Sequence, residues 1–213
     1  MKILAFTDLH AGVTAYKKIQ AKIKKEKPDY IFCLGDFTIF EQNIEPVIRK
    51  ISELKKPVLI IHGNHETDVI VRKLCKRYKN MTFAHRKITK LGDYTVIAHG
   101  GGGFYGQGKL AKDKDFDNFV KENKTKLKGK LILLTHAPPA YTKLDYLEWL
   151  GDHAGCASYQ TFIKQHKPIL ALSGHLHENF RVKQKIGKTT VCNPGPEGMV
   201  FKLSRTTSRK RVV

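Results

Sequence analysis

Five short apolar runs, residues 3–6, 30–34, 58–61, 131–134 and 169–172, each stop at polar residues of the kind that bind metals. Runs of this length are strands rather than helices. Between the first runs, apolar residues recur at helical spacing: Ala15, Ile19 and Ile23, then Ile44, Val47, Ile48 and Ile51, with Val71, Leu74, Cys75 and Tyr78 after the third. Strand and helix therefore alternate, which implies parallel strands covered by helices. The carboxyl ends of parallel strands share one edge, so this order of elements gathers the polar tips in one place. The tips are Thr7-Asp8-Leu9-His10, Gly35-Asp36, His62-Gly63-Asn64-His65-Glu66, Thr135-His136-Ala137-Pro138-Pro139 and Gly174-His175-Leu176-His177. In an extended segment residues i and i+2 share a face, so Asp8 and His10 are expected to converge just beyond the first strand. Gly35, Gly63 and Gly174 precede candidate ligands, as expected of tight turns where backbone must approach an ion.

Residues 81–84, 86–91 and 94–99 are short runs, with a turn at Gly92-Asp93, and predict an antiparallel portion. Phe116, Phe119, Val120 and Leu127 mark one further helix, and Tyr159, Phe162, Ile163 and His166 another. Residues 180–182, 189–192 and 199–203 read as a closing meander turned at Ile186-Gly187-Lys188. The predicted fold is α/β, two mixed β-sheets packed together and flanked by helices, in one domain over residues 1–203. Residues 204–213 carry Arg205, Arg209, Lys210 and Arg211 with no acid and no apolar periodicity, and are expected to form a disordered basic tail.

Lys and Arg outnumber Asp and Glu by 39 to 19, a net charge of +20 that attracts polyanions through its long-range field. Lysines on the polar faces of helices account for much of it equally well. The four cysteines, Cys33, Cys75, Cys156 and Cys192, contain no C-x-x-C pair and are expected to be reduced and structural. There is no signal-peptide core and no run of membrane-span length, so a cytoplasmic protein without a membrane partner is expected. Nothing in the pattern specifies an oligomeric state.

Taken in order, Asp-x-His, Gly-Asp, Gly-Asn-His-Glu, His-Ala-Pro-Pro and Gly-His-x-His resemble the motifs of the calcineurin-like metallophosphoesterases, over about residues 1–200. The resemblance is to the small, phosphodiesterase-like branch. It implies a two-sheet sandwich with a dinuclear metal centre on the strand-end loops. Carried over by residue, one ion would be held by Asp8, His10, Asp36 and His177, the other by Asp36, Asn64, His136 and His175, with Asp36 bridging. His65 would face the substrate phosphate, either protonating the leaving oxygen or stabilising the equatorial oxygens. The implied activity is a metal-dependent phosphodiesterase in which a metal-bridging hydroxide attacks a phosphate ester, a nucleotide among the candidates. Of two divalent ions per chain, Mn²⁺ is favoured by the resemblance; Fe, Zn²⁺ and Ni²⁺ also suit nitrogen and oxygen ligands without thiolate.

The alternatives are a nuclease that holds DNA or RNA on its basic surface, and a non-catalytic protein-binding scaffold, as the retromer subunit of this fold is. Two departures stand out. The stretch Asp36-Phe37-Thr38-Ile39-Phe40 lacks the acid and Arg that the protein phosphatase branch has there, which disfavours a phosphoprotein phosphatase. Glu66 stands where the family more often has Asp, a change expected to cost little. His99 with Gly100 to Gly103 is a weaker candidate for the active-site rim, and Asn193-Pro194-Gly195-Pro196 resembles a structural turn of phosphodiesterase-like members. His62, His85, His153 and His166 read as surface or core histidines.

Overall fold

The computed structural model describes residues 1–103 and 111–204. Its first half winds as β1 (Lys2–Phe6), α1 (Val13–Glu26), β2 (Tyr30–Cys33), α2 (Ile44–Ser52), β3 (Val58–Ile60), α3 (Asp68–Cys75) and β4 (Met81–Phe83). The helices follow from their periodicity: in α2, Ile44, Val47, Ile48 and Ile51 fall on one side and are all buried. α1 stops at Lys27, whose left-handed cap returns its N–H to the Ile23 carbonyl just before Pro28, which cannot extend the helix. There follow β5 (Lys87–Leu91), β6 (Tyr94–His99), α4 (Lys114–Glu122), β7 (Lys130–Thr135), the small hairpin β8 (Tyr146–Leu147) and β9 (Asp152–His153), α5 (Ala157–His166), β10 (Leu170–Leu172), β11 (Lys183–Ile186), β12 (Thr189–Cys192) and β13 (Met199–Lys202).

The main strands form a five-stranded sheet, β13-β1-β2-β3-β4, and a six-stranded sheet, β11-β12-β10-β7-β6-β5. Side-chain alternation sorts each sheet into two faces. Leu4, Phe6, Ile31, Cys33, Val58 and Ile60 pack under α1, α2 and α3 with Ile19, Ile48 and Val71. Ile3, Ala5, Phe32, Leu34, Leu59 and Ile61 point the other way, onto Val96, Ala98, Ile132, Leu134, Leu170 and Leu172 of the second sheet. The outer face of that sheet, with Ile97, Leu131, Leu133 and Val191, is covered by Phe116 and Phe119 of α4 and Tyr159, Phe162 and Ile163 of α5. The result is four layers, helix, sheet, sheet and helix. Each fully buried Leu or Ile contributes about 1.5–3 kcal/mol to holding them together.

Three expectations need correction. β4 is not part of an antiparallel portion: it pairs parallel with β3 at the edge of the first sheet, because α3 carries the chain back over that sheet. Only β5 and β6 form the expected hairpin, and β6 then runs parallel to β7. The closing strands are a meander only in part: β11 and β12 pair antiparallel about the expected turn, Ile186 opposite Thr189. Residues 180–182 lie between a 3₁₀ turn and β11, β12 runs parallel to β10, and β13 crosses to the other sheet to pair antiparallel with β1, Leu4 opposite Val200. Alternation reveals that a segment is a strand but carries no mark of its partner. Leu127 lies past α4, after a 3₁₀ turn at Lys124–Lys126. Residues 205–213 of the basic segment and 104–110 of the Gly-rich loop lie outside the described residues. Among the described residues no helix is long and apolar enough to cross a membrane.

The long connection from β7 to α5 is organised by Asp145, which is fully buried. Its carboxylate accepts from the amides of Tyr141, Thr142 and Gly155, from the Thr142 hydroxyl, and from His153 Nδ1 at 2.9 Å. His153 thus has a partner that its position in the chain did not suggest.

Candidate metal centre

The polar tips of β1, β2, β3, β7 and β10 meet where the two sheets' edges adjoin. β1 ends at Phe6, and Asp8, His10 and Ala11 then take left-handed backbone with φ of 51°, 44° and 56°. Asp36 and His175 do the same, at 47° and 72°. The convergence of Asp8 and His10 therefore comes from left-handed turns and not from strand alternation. Such backbone costs on the order of 1–3 kcal/mol per residue unless its surroundings enforce it. Here the loops are laced together: Asp8 N–H donates to the Gly35 carbonyl, His10 N–H to that of Asp36 and Ala11 N–H to that of Phe37, at 2.9 to 3.0 Å.

Two of the expected glycines stand directly against side chains of the neighbouring loops. A Cβ on Gly63 would lie 2.0 Å from Asp36 Oδ1, and one on Gly174 would lie 1.9 Å from Thr7 Oγ1 and 2.5 Å from Asp8 Oδ2. They admit a neighbouring side chain. Gly174→Ala is accordingly expected to destabilise the fold by about 1–3 kcal/mol, as overpacking does, and to displace Asp8. Chemical denaturation measures the first effect and metal content the second; an unchanged midpoint would show that the loop yields freely.

Six candidate ligands fall into two adjoining groups, Asp8 with His10 and His177, and Asp36 with His136 and His175, each with potential ligand atoms within 4.8 Å of one another. Asn64 joins the second through its Oδ1, 3.0 Å from His136 Nε2. The ring orientations are set from behind. His136 Nδ1 lies 2.8 Å from the Leu34 carbonyl and His10 Nδ1 2.9 Å from that of Thr38; a carbonyl only accepts, so in both neutral rings the proton sits on Nδ1 and the Nε2 lone pair faces the site. His136 Nε2 then confronts Asn64 Oδ1 and, at 3.3 Å, Asp36 Oδ2. His10 Nε2 confronts His177 Nε2 at 3.2 Å, with Asp8 Oδ1 3.6 Å from the latter. Without a metal, protons on His136 Nε2 and His177 Nε2 fill these contacts; imidazoles anchored through the opposite nitrogen, as His136 and His10 are, are the usual form of metal-binding histidine. The donor set fits divalent ions.

The electrostatics agree. Burial pushes the Asp36 carboxyl up, but the hydrogen bond and charge of His136, with the His65 amide, outweigh it and hold the carboxyl at about 2. Burial would lower His136, yet the Asp36 carboxylate overcomes this and raises it to about 9. In the absence of metal, a proton on His136 thus neutralises Asp36. Burial and the His136 charge push His175 down to about 4, while Asp8 raises His177.

His65 stands beside both groups. Its Nε2 is 3.8 Å from Asp36 Oδ2, its ring 4.9 Å from that of His10, and its Nδ1 accepts from the Phe40 amide at 3.2 Å. Glu66, at which little was expected, is the hub of the loops. Its buried carboxylate accepts from the amides of Asp36, Gly63 and Thr38 and from the Thr38 hydroxyl, at 2.8 to 3.1 Å. Burial, with Asp36 nearby, pushes that carboxyl up to about 7. Its place at the end of Gly63-Asn64-His65-Glu66 was the available signal, but its contacts with the β2 loop are not visible along the chain.

His99 is paired within a group of its own. Its Nε2 meets Asp115 Oδ2 at 2.9 Å, Asp115 also pairs with Arg86 at 2.8 Å, and His85 Nδ1 accepts from the Gly100 amide. His85, His99 and Asp115 are close enough to hold an ion. The Arg86 guanidinium already neutralises that carboxylate, however, and the His85 lone pair is already in use. His62 packs against the His85 ring, and His166 stacks on Phe162. Asn193 is buried; its Nδ2 donates to the Leu176 carbonyl and its Oδ1 accepts from the Gly195 amide, a structural turn bracing the Gly174 to His177 loop.

The family model of the calcineurin-like phosphoesterases matches residues 1–179. The chain belongs to that family. Its members are metal-dependent hydrolases, and the His and Asp groups of this chain lie at the strand ends described above. Among solved structures it is similar to the protein TT1561 of Thermus thermophilus, at 19% identity and a TM-score of 0.71, with 91% of this chain and 88% of that one covered. It is also similar to the phosphopantetheinyl hydrolase of Mycobacterium tuberculosis, at 12% identity and a TM-score of 0.65, with 91% and 88% covered. A dimetal phosphatase from Danio rerio shares 7% identity with a TM-score of 0.63, with 91% and 86% covered. At these identities the likeness is one of fold. None of the curated proteins matches the chain in sequence.

Proposed function

We propose that this phosphoesterase is a two-metal enzyme hydrolysing phosphate esters, diesters foremost. The observation that carries the reading is the convergence of potential ligand atoms of Asp36, Asn64 and His136 beside those of Asp8, His10 and His177. Asp8, His10, Asp36 and His177 would hold one divalent ion and Asp36, Asn64, His136 and His175 the other, with Mn²⁺ favoured. When bound, the two ions supply Lewis acidity toward the phosphate and a means of activating water. The Leu34 and Thr38 carbonyls keep His136 and His10 aimed inward, and Glu66 holds the β2 and β3 loops in register. The Asn193-Pro194-Gly195 turn supports the diesterase branch, and four buried, free cysteines are consistent with a reducing cytoplasm.

His65 acts on the substrate in this reading. Because Phe40 N–H donates to Nδ1, the proton of the neutral ring resides on Nε2, on the side of Asp36. A neutral imidazole is a very weak acid, so its role is a hydrogen bond to a phosphoryl oxygen that strengthens as charge develops there.

The test is hydrolysis of a panel of phosphomonoesters, diesters, cyclic nucleotides and short DNA and RNA, by chelated protein reloaded with Mn²⁺, Zn²⁺, Ni²⁺ or Fe²⁺. Metal-dependent turnover of small diesters is expected. No turnover with any metal would overturn the reading in favour of a scaffold. Turnover confined to polynucleotides would favour the nuclease, to which the net charge of +20 lends itself.

A further inference from the structure

Phe40 occupies an unusual position for an aromatic residue. It is 71% exposed and sits in left-handed backbone with φ of 44°, followed by Glu41 at 61°. An Asn or Gly would be accommodated there more cheaply, since both tolerate left-handed backbone and neither presents a large apolar surface to water. The surroundings nevertheless enforce the arrangement. Phe40 N–H donates to His65 Nδ1, Glu41 N–H to the His65 carbonyl at 3.1 Å, and Thr67 N–H to Glu41 Oε1 at 2.7 Å. One side of the Phe40 ring meets the His65 ring at 4.2 Å and 33°.

Phe40 also ends a row of rings across the candidate centre: Phe40, His65, His10, His177 and Phe180, with successive centroids 4.2, 4.9, 5.0 and 4.9 Å apart. At the other end, Phe180 is half-buried and covered by Gly195. Phe40 alone of the two offers much open ring surface, one residue's width from the imidazole that faces the phosphate site. A strained, exposed aromatic held against a candidate catalytic residue is the arrangement expected where function outweighs local stability.

We propose that Phe40 is a stacking platform for a flat ring carried by the substrate, so that the enzyme selects phosphate esters bearing a nucleobase or an aryl group close to the phosphate. This inference rests on the phosphoesterase reading and adds the class of substrate. Stacking of a base on an aromatic side chain is sequence-tolerant, so the platform selects for flatness and not for one base.

The test compares inorganic phosphate, phenyl phosphate and a nucleoside 5′-monophosphate as ligands of metal-loaded protein by calorimetry, with competition against diester hydrolysis as a second readout. In the wild type the ring-bearing ligands should bind about tenfold more tightly than phosphate, within the range stacking provides. Phe40→Ala should abolish most of that ratio, and Phe40→Trp should restore it, which separates stacking from a folding defect. A wild-type advantage shown by phenyl phosphate and not by the nucleotide, and lost in Phe40→Ala, supports the platform and identifies the aryl source. Equal weakening of all three ligands by Phe40→Ala would overturn the proposal and leave Phe40 as a cover for His65. Because binding is read independently of turnover, an enzyme inactive on every ester would refute the phosphoesterase reading without obscuring this result.

Discussion

Asp36→Asn should lower kcat on a small diester by at least about a thousandfold and remove more than one metal's worth of occupancy. The carboxylate is nearly fully buried, lies in the His136 and His175 group, and is within reach of the His10 side as well. It is the side chain common to both proposed ion sites, so the amide would weaken both at once. A thousandfold loss corresponds to about 4 kcal/mol of barrier, since each 1.36 kcal/mol is tenfold in rate. The comparison is His10→Ala, which should disturb one ion only. Two retained metals and a near-normal rate would show that Asp36 does not bridge.

The same substitution has a signature in metal-free protein. His136 is raised in the folded state from 6.5 to about 9, so its contribution is present below about pH 6.5 and lost as pH rises toward 9. Asp36 is lowered from 3.8 to about 2, so its contribution is present above about pH 4 and lost toward pH 2. Stability of the chelated wild type should therefore decline from pH 6.5 to 9. Asp36→Asn should make that decline shallower, as denaturation at several pH values would reveal.

His65→Ala should retain both metals and lose rate by about a hundredfold to a thousandfold, the usual cost of removing one hydrogen-bond donor to a developing oxyanion. The informative part is the dependence on leaving group. A nitrophenolate departs readily without a proton, whereas an alkoxide needs one, so a general acid would matter far more for the alkyl ester. With Nδ1 occupied by the Phe40 amide, His65 presents Nε2–H as a neutral donor, and the two losses should be similar. A loss confined to the alkyl ester would restore the general-acid role. Loss of a metal would place His65 in the ion's own shell, which its grouping with His10 and Asp36 allows.

Much of the framework was legible along the chain because it rests on local pattern. Apolar runs such as residues 58–61 and the helical periodicity of α2 determine strands and helices through burial of one face, whatever the partner. The tips were legible for a similar reason. Asp8, His10, Asp36, His136, His175 and His177 stand at fixed offsets from strand ends, and parallel strands bring their ends to one edge. These residues and their order also carried the resemblance to the calcineurin-like phosphoesterases.

Tertiary structure alone decided what depends on partners distant in sequence. The direction of β4, the crossing of β13 to pair with β1, and the burial of Asp145 among its donors depend on which segments meet, and alternation is silent about that. Glu66 gathers donors from residues up to 30 positions away, and the Leu34 and Thr38 carbonyls orient rings 102 and 28 residues from them. The direction in which His65 carries its proton follows from one amide, that of Phe40, 25 residues earlier. The kinds of atoms at this site were a property of the sequence; their aim came from loops of two sheets folded against each other.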